Sequence, residues 1–233
     1  MILLLETATA VCSVALADKG SIVAQRRSDL PNAHSSKLSL FIDDMFRQLS
    51  IQPSHLEAVC VSSGPGSYTG LRIGVSSAKG FCYALDIPLL AVPTLLGMAS
   101  LYHMRHPDYD GYVCPMIDAR RMECYTAFYH LSPHSIVEAR PVSAQVISPG
   151  LFDDFLDKAP VVFVGDGAPK TRPLLASHPN AHYDDSFAIA AEGMLPIAIE
   201  RLRQGRVEDV AYFEPFYLKD FVAKKSIVRG LRQ

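Results

Sequence analysis

The stretch Ser62–Leu85, SSGPGSYTGLRIGVSSAKGFCYAL, constrains the fold more than any other part of the chain. An apolar run, Ala58-Val59-Cys60-Val61, leads into it, and Gly64-Pro65-Gly66 breaks that run. The residues that follow are too rich in Gly and Ser for a strand, so the segment reads as strand, glycine turn and helix. Gly64 and Gly66 can take the positive φ of a tight turn, Pro65 stiffens it, and Ser67 is the expected N-cap. On a helical wheel from Gly70, the small residues Gly70, Gly74, Ser77 and Ala78 share one side, which Gly80 and Ala84 extend. Leu71, Val75 and Cys82 form a separate apolar stripe. Each interior glycine costs about 1 kcal/mol against Ala, so a helix carrying Gly70, Gly74 and Gly80 needs a compensation. Close approach of another backbone to the small side is the natural one. The turn could instead cradle an anion on the free N–H groups of the helix start. It is not a P-loop, because Leu71-Arg72 follow Gly70, and Gly64-x-Gly66-x-x-x-Gly70 lacks the dinucleotide-binding spacing.

Composition excludes several classes. With 233 residues, 49% apolar and 20% charged, the chain suits one large domain or two small ones around a good core. A net charge of −2 and a pI near 6.4 give no global basic field for binding nucleic acid unaided. No apolar run reaches the roughly 18 residues of a membrane span. Met1–Glu6 is apolar too briefly, and without a basic leader, for a secretory signal. Cys12, Cys60, Cys82, Cys114 and Cys124 are odd in number and form no C-x-x-C pair, as expected of buried free thiols in a reducing cytoplasm.

In chain order, residues 2–5, 11–17 and 22–26 read as an antiparallel meander with turns at Glu6–Ala10 and Asp18–Ser21. An acidic residue closing a first strand beside two threonines can meet a phosphate or hydrated cation, or be an ordinary Thr-rich hairpin. A helix runs from Ser35 to Leu49, with Leu38, Phe41, Ile42, Met45 and Leu49 on one stripe, Leu40 nearly opposite and Phe46 at the edge. A helix buried on one side only would not expose Leu40 and Phe46, so it is buried on two sides or meets a partner. His34 is the histidine worth testing as a ligand, but a helical zinc pair needs a second His at i+4, and position 38 is Leu. Ile87–Val92 reads as a strand and residues 94–104 as a helix. The polar stretch His103–Asp108 then divides an N-terminal lobe, 1–105, which carries the dimerisation helices, from a C-terminal lobe, 106–233, whose last helix can pack back on the first lobe.

The second half again opens with strands, at 112–117, 123–129 and 136–144, which suggests a duplicated architecture. Ser148–Leu156 reads as a helix, Val161–Val164 as a buried strand before a glycine turn at Gly165–Pro169, and Ala188–Arg203 as a helix kinked at Pro196. Asp118-Ala119-Arg120-Arg121-Met122-Glu123 holds charge between two strands, as a site or merely as a hairpin. The tail is basic, with Lys219, Lys224, Lys225, Arg229 and Arg232, and is either solvated or a phosphate-backbone contact in a larger complex. No serine has a G-x-S-x-G setting, so no triad is argued.

Glu6-Thr7-Ala8-Thr9 with Cys12-Ser13-Val14-Ala15-Leu16, His34-Ser35, and Ser63-Gly64-Pro65-Gly66-Ser67-Tyr68-Thr69-Gly70-Leu71-Arg72-Ile73-Gly74 resemble the bacterial TsaB (YeaZ) family, a paralogue of the TsaD/Kae family. Ile117-Asp118-Ala119-Arg120 with Glu123-x-Tyr125, and Glu214-Pro215-x-Tyr217-Leu218, extend the resemblance over nearly the whole chain. It implies an α/β fold in two lobes of duplicated architecture, actin-like and ribonuclease-H-like. It implies a cytoplasmic role, away from membranes, in forming N6-threonylcarbamoyladenosine next to the anticodon of tRNAs that read codons starting with A. There a TsaD-type enzyme is the transferase, and the TsaB-type chain is its non-catalytic partner in a heterodimer. A TsaE-type ATPase completes the complex, through which tRNA is met indirectly.

Catalytic relatives hold a metal through His-x-x-x-His; with His34 and Leu38 the second ligand is missing here, so the resemblance implies neither a metal nor a catalytic residue. The family's heterodimer and homodimer interface is formed by the two helices with surplus contact faces. That implies partner contacts at Leu38, Leu40, Phe41, Met45, Phe46, Gly70, Gly74, Ser77, Ala78 and Phe81. A vestigial nucleotide or anion site would draw on Glu6, Thr7, Thr9, Gly64, Gly66 and Ser67, although Glu6 is one methylene longer than the Asp of many relatives. No cofactor is expected unless a nucleotide sits at a subunit interface. The competing readings are an ATP-using enzyme of the actin-like/sugar-kinase superfamily, which needs a catalytic Asp and several phosphate loops, and a metallopeptidase, which needs the missing ligand pair.

Overall fold

The computed structural model describes residues 1–30 and 33–219; the tail residues Lys224, Lys225, Arg229 and Arg232 lie outside them. The first sheet comprises β1 (Ile2–Glu6), β2 (Cys12–Asp18), β3 (Ser21–Ser28), β4 (Ala58–Ser62) and β5 (Leu89–Val92) in the order β3-β2-β1-β4-β5. The second comprises β6 (Gly111–Asp118), β7 (Glu123–Ser132), β8 (Ser135–Val146), β9 (Val161–Val164) and β10 (Ala181–Tyr183) in the order β10-β9-β6-β7-β8. In each sheet an antiparallel meander of three strands is followed by two strands added in parallel beside the first of them. The duplication expected from the strand pattern is therefore present, and this repeated topology is that of the actin-like fold.

Both faces of the first sheet are covered, which is why β1 and β4 are apolar at every core position rather than at alternate ones. Leu3, Leu5, Val14, Val59 and Val61 meet α1 (Ala33–Leu49) and α2 (Tyr68–Leu85). Ile2, Leu4, Ala15, Cys60 and Leu90 meet Ala191–Met194, a 3-10 turn, and the helix that continues it to Arg203. On the second sheet, Val113, Ile117, Ala127 and Val162 pack on α3 (Thr94–Arg105). The opposite face, with Cys114, Phe128 and Phe163, packs on Phe152, just before α4 (Asp153–Leu156), on Leu156 of α4 and on Leu175 of α5 (Arg172–Leu175). A cut at residue 105 thus separates the strands but not the helices: α3 lies on the second sheet, and the last described helix lies on the first.

Two sequence expectations are corrected. Pro196 does not kink a long helix; it sits in the first turn of α6 (Leu195–Arg203), where its missing N–H costs nothing, and Ala190 before it is extended (φ −149°). Of Ser148–Leu156 only the last turn is α-helical. The five cysteines are buried and unbridged.

Candidate functional site

The glycine turn and the β1–β2 hairpin are built into each other. Ser67 caps α2 as its sequence position predicts, its Oγ accepting from Gly70 N at 3.2 Å. A Cβ at Gly66 would collide with the Ala8 carbonyl, one at Gly70 with the Thr7 carbonyl, and one at Gly74 with Thr7 Oγ1. The backbone that approaches the small side of α2 therefore belongs to this chain. Gly80 differs, because nothing lies within 4 Å of where its Cβ would be. Gly64, at φ 113°, leaves no room for a side chain beside the Phe216 carbonyl, and Phe216 N donates to Ser63 O at 2.7 Å. The segment around Phe216 is thereby strapped across the turn.

Glu6 is wholly buried at the end of β1. Its Oε1 accepts from Ala8 N at 2.7 Å and from Ser62 Oγ at 3.0 Å. Burial pushes its carboxyl up to about 7, against the pull of those hydrogen bonds. The structure gathers the residues of the vestigial anion site, and several of its N–H groups already donate within the chain. Gly64 N donates to Thr94 Oγ1 (3.1 Å), Ser67 N to Ala8 O (2.6 Å), Ala8 N to Glu6 and Val11 N to Thr9 Oγ1 (3.2 Å). Thr7 Oγ1 is buried against α2 without a hydrogen-bond partner. Of that set only Thr9 lines the cleft between the lobes, a space of about 310 Å³. Asp166, Asp184 and Asp185 line the same cleft. Arg27, the one cation among the described residues lining it, is paired with Asp29 at 2.8 Å. Asp185 is in turn paired with Arg172 at 2.6 Å, so the lining of this cleft is predominantly acidic.

His34 is buried, and its Nε2 lies 3.2 Å from Val11 O, so the ring pins the β1–β2 hairpin to the start of α1. Burial holds its imidazole below the ordinary range. Leu38, one turn on, is in the core. Among the described residues no group of three or more His, Cys, Asp or Glu side chains is placed to hold a metal.

The ten residues expected at a partner face divide sharply. Leu38, Met45, Phe46, Gly70, Gly74 and Ala78 are buried within this chain. Phe46 in particular joins the core instead of the surface, because α1 packs across both β2 and β3. Phe41, Ser77 and Phe81 are partly exposed, and Leu40 is 58% exposed. A groove between α1 and α2 is lined by His34, Ser35, Ser39, Arg72, Ile73 and Ser77. The outward side of α2 carries Arg72, Ser76, Gly80 and Tyr83, the last 86% exposed. Tyr83 was not among the expected contacts, yet its spacing from Ser76 and Gly80 puts it on their side of the helix.

Comparison with known proteins agrees with this architecture. The family model described as TsaD, tRNA N6-adenosine threonylcarbamoyltransferase, matches residues 28–226. The tRNA threonylcarbamoyladenosine biosynthesis protein TsaB of Escherichia coli is 30% identical over 97% of this chain and 97% of its own length. The structure of YeaZ from Pseudomonas aeruginosa superposes with a TM-score of 0.79 at 26% identity, covering 93% of this chain and 99% of that one. Component A of the Acidaminococcus fermentans (R)-2-hydroxyglutaryl-CoA dehydratase shares the fold alone, at a TM-score of 0.50 and 10% identity over 88% of this chain and 98% of that one. Duplicated sheets, the glycine turn closed by the first hairpin, and these similarities together place the chain in the TsaB (YeaZ) family.

Proposed function

We propose that this chain is a non-catalytic subunit of the cytoplasmic assembly that forms N6-threonylcarbamoyladenosine on tRNA. Its part is to offer the α1/α2 face to a TsaD-type transferase, with a TsaE-type ATPase joining the pair. The biosynthetic role rests on the name carried by the Escherichia coli relative. Gly80 carries the scaffold reading: it costs helix stability, and no atom of the described residues occupies the space it leaves. Gly70 and Gly74 are accounted for inside the chain; Gly80 is not. Exposed Leu40 and Tyr83 flank the same pair of helices. The match to the transferase family over residues 28–226 adds that the partner would present related helices, so a pseudo-twofold pairing suits the face. The same face could join two copies of this chain. The inward-turned His34 supports a subunit without its own chemistry.

The test is co-purification and light scattering with a TsaD-type partner, using Gly80→Arg and Leu40→Glu. Both changes lie at exposed helical positions and leave the core intact. Wild type should give a one-to-one complex, and both variants should melt normally but stay apart from the partner. Two folded variants that bind like wild type would overturn the assignment of the face.

A further inference from the structure

The turn between β6 and β7 breaks a local rule. Arg120 (φ 71°) and Arg121 (φ 53°) both hold the left-handed conformation. Consecutive positive φ values are what Asn-Gly or Asp-Gly satisfies most easily in a hairpin, and an arginine in either place is strained. Around this strained tip the base is locked. Asp118 Oδ1 accepts from Arg120 N and from Lys170 Nζ, both at 2.5 Å. Asp118 N donates to Asp166 Oδ1 at 2.9 Å, Lys170 Nζ reaches Glu123 O at 3.1 Å, and Lys219 pairs with Glu123. The lysines are thus neutralised by the hairpin's own carboxylates. Arg120 and Arg121 are exposed, and neither side chain has an ion pair among the described residues.

A hydrogen-bonded base presenting two guanidinium groups that no carboxylate among the described residues compensates suits phosphates, which arginine meets with paired donors. Among the described residues the large apolar side chains exposed there, Met122 and Val146, make too small a patch for a stable protein interface. The sequence beyond Lys219, which pairs with Glu123, has four basic residues against one acidic. We propose that the Arg120–Arg121 tip contacts the tRNA phosphate backbone when the chain is part of its modification complex. This rests on the function proposed above. It does not conflict with the net charge of −2, since the contact is local and adds to affinity supplied by the other subunits.

The experiment uses the complex of this chain with its transferase-type partner and labelled tRNA, with affinity followed by anisotropy across a salt series. The variants are Arg120→Ala/Arg121→Ala, Arg120→Lys/Arg121→Lys and Arg120→Asn/Arg121→Gly. Removing two phosphate contacts should weaken binding roughly tenfold and make the slope of log K against log salt shallower by about 1 to 2. The lysine pair should retain most of the affinity. The Asn-Gly pair should bind as weakly as the alanine pair while melting at or above the wild-type temperature, because its backbone strain is relieved. That combination separates a contact from a structural role. If wild-type complex binds tRNA and the Ala and Asn-Gly variants match its affinity and slope, the proposal is wrong. It is also wrong if those variants fail to assemble with the partner subunit, which would make the tip a protein contact. If the wild-type complex itself neither binds nor modifies tRNA, the functional reading fails and this proposal falls with it.

Discussion

Gly74 of α2 stands against Thr7 of the β1–β2 hairpin with no space for a methyl group between them. Gly80, fewer than two turns further along the same helix, faces open space. The two glycines therefore respond oppositely to one substitution. Gly74→Ala drives a Cβ into a buried threonine and should destabilise the protein by about 1–3 kcal/mol. Gly80→Ala should stabilise it by about 0.5–1 kcal/mol through helix propensity alone. Urea melts of both variants at one pH test the pair, and equal signs would refute the packing described for the hairpin.

Much of this arrangement is legible in the sequence. The Ser67 cap, the strand–turn–helix around Gly64–Gly66 and the repeated meander follow from local chemistry and period. The glycines of α2 state that something must come close. They cannot state that it is a hairpin some sixty residues earlier, because that contact is non-local. Phe46 was misplaced for a related reason: a wheel gives its angle on α1, but not that the sheet offers β3 as well as β2 to that helix. Residues 188–190 continue a helical apolar period, yet Ala190 is extended and buried, and Ala191 N is held by Ser13 Oγ at 3.0 Å across the molecule. The strap at Phe216 left no local signal, since it is held largely by main-chain groups.

Glu6 makes stability depend on pH in an unusual direction. Its carboxyl is raised from 4.5 to about 7 by burial, so between those values the folded state holds a proton that the unfolded chain has lost. The contribution is fully present below pH 4.5 and is lost as pH rises through about 7. At 1.36 kcal/mol per unit the whole effect is of order 3 kcal/mol. Glu6→Gln keeps an acceptor for Ala8 N and removes the titration. Relative to the wild type, the variant should gain stability as pH rises from 5 to 8. A difference that stays flat over that range would contradict the buried, shifted carboxyl.

His34 acts with the opposite sign. Its imidazole is lowered by burial, so its contribution is present above the unfolded value near 6.5 and is lost as pH falls through the folded one. His34→Gln can still donate to Val11 O and has nothing to protonate. Chemical melts should show the wild type losing its advantage over this variant on acidification from pH 7 to 5, at low ionic strength and again at high. Persistence at high salt is expected because the effect comes from burial and not from an exposed charge pair.

The strap over the glycine turn gives the last test. Lys79 Nζ, on α2, donates to Ala211 O at 3.0 Å and to Phe213 O at 3.1 Å, holding the chain just before Phe216 N reaches Ser63 O. Both acceptors are main-chain carbonyls, so the ammonium fixes the path of the segment whatever side chains it carries. Lys79→Met keeps the aliphatic stem and removes the donors. It should cost about 1 kcal/mol, the net worth of such bonds at a half-exposed site. The loss should also be local: hydrogen exchange should quicken at the Phe213 and Phe216 amides, while amides of β1 and β4 keep wild-type protection. Uniform acceleration would mean that the strap is part of the cooperative core. No acceleration at Phe216 would mean that Ser63 and the crowded Gly64 hold it without Lys79, and that the lysine serves the surface alone.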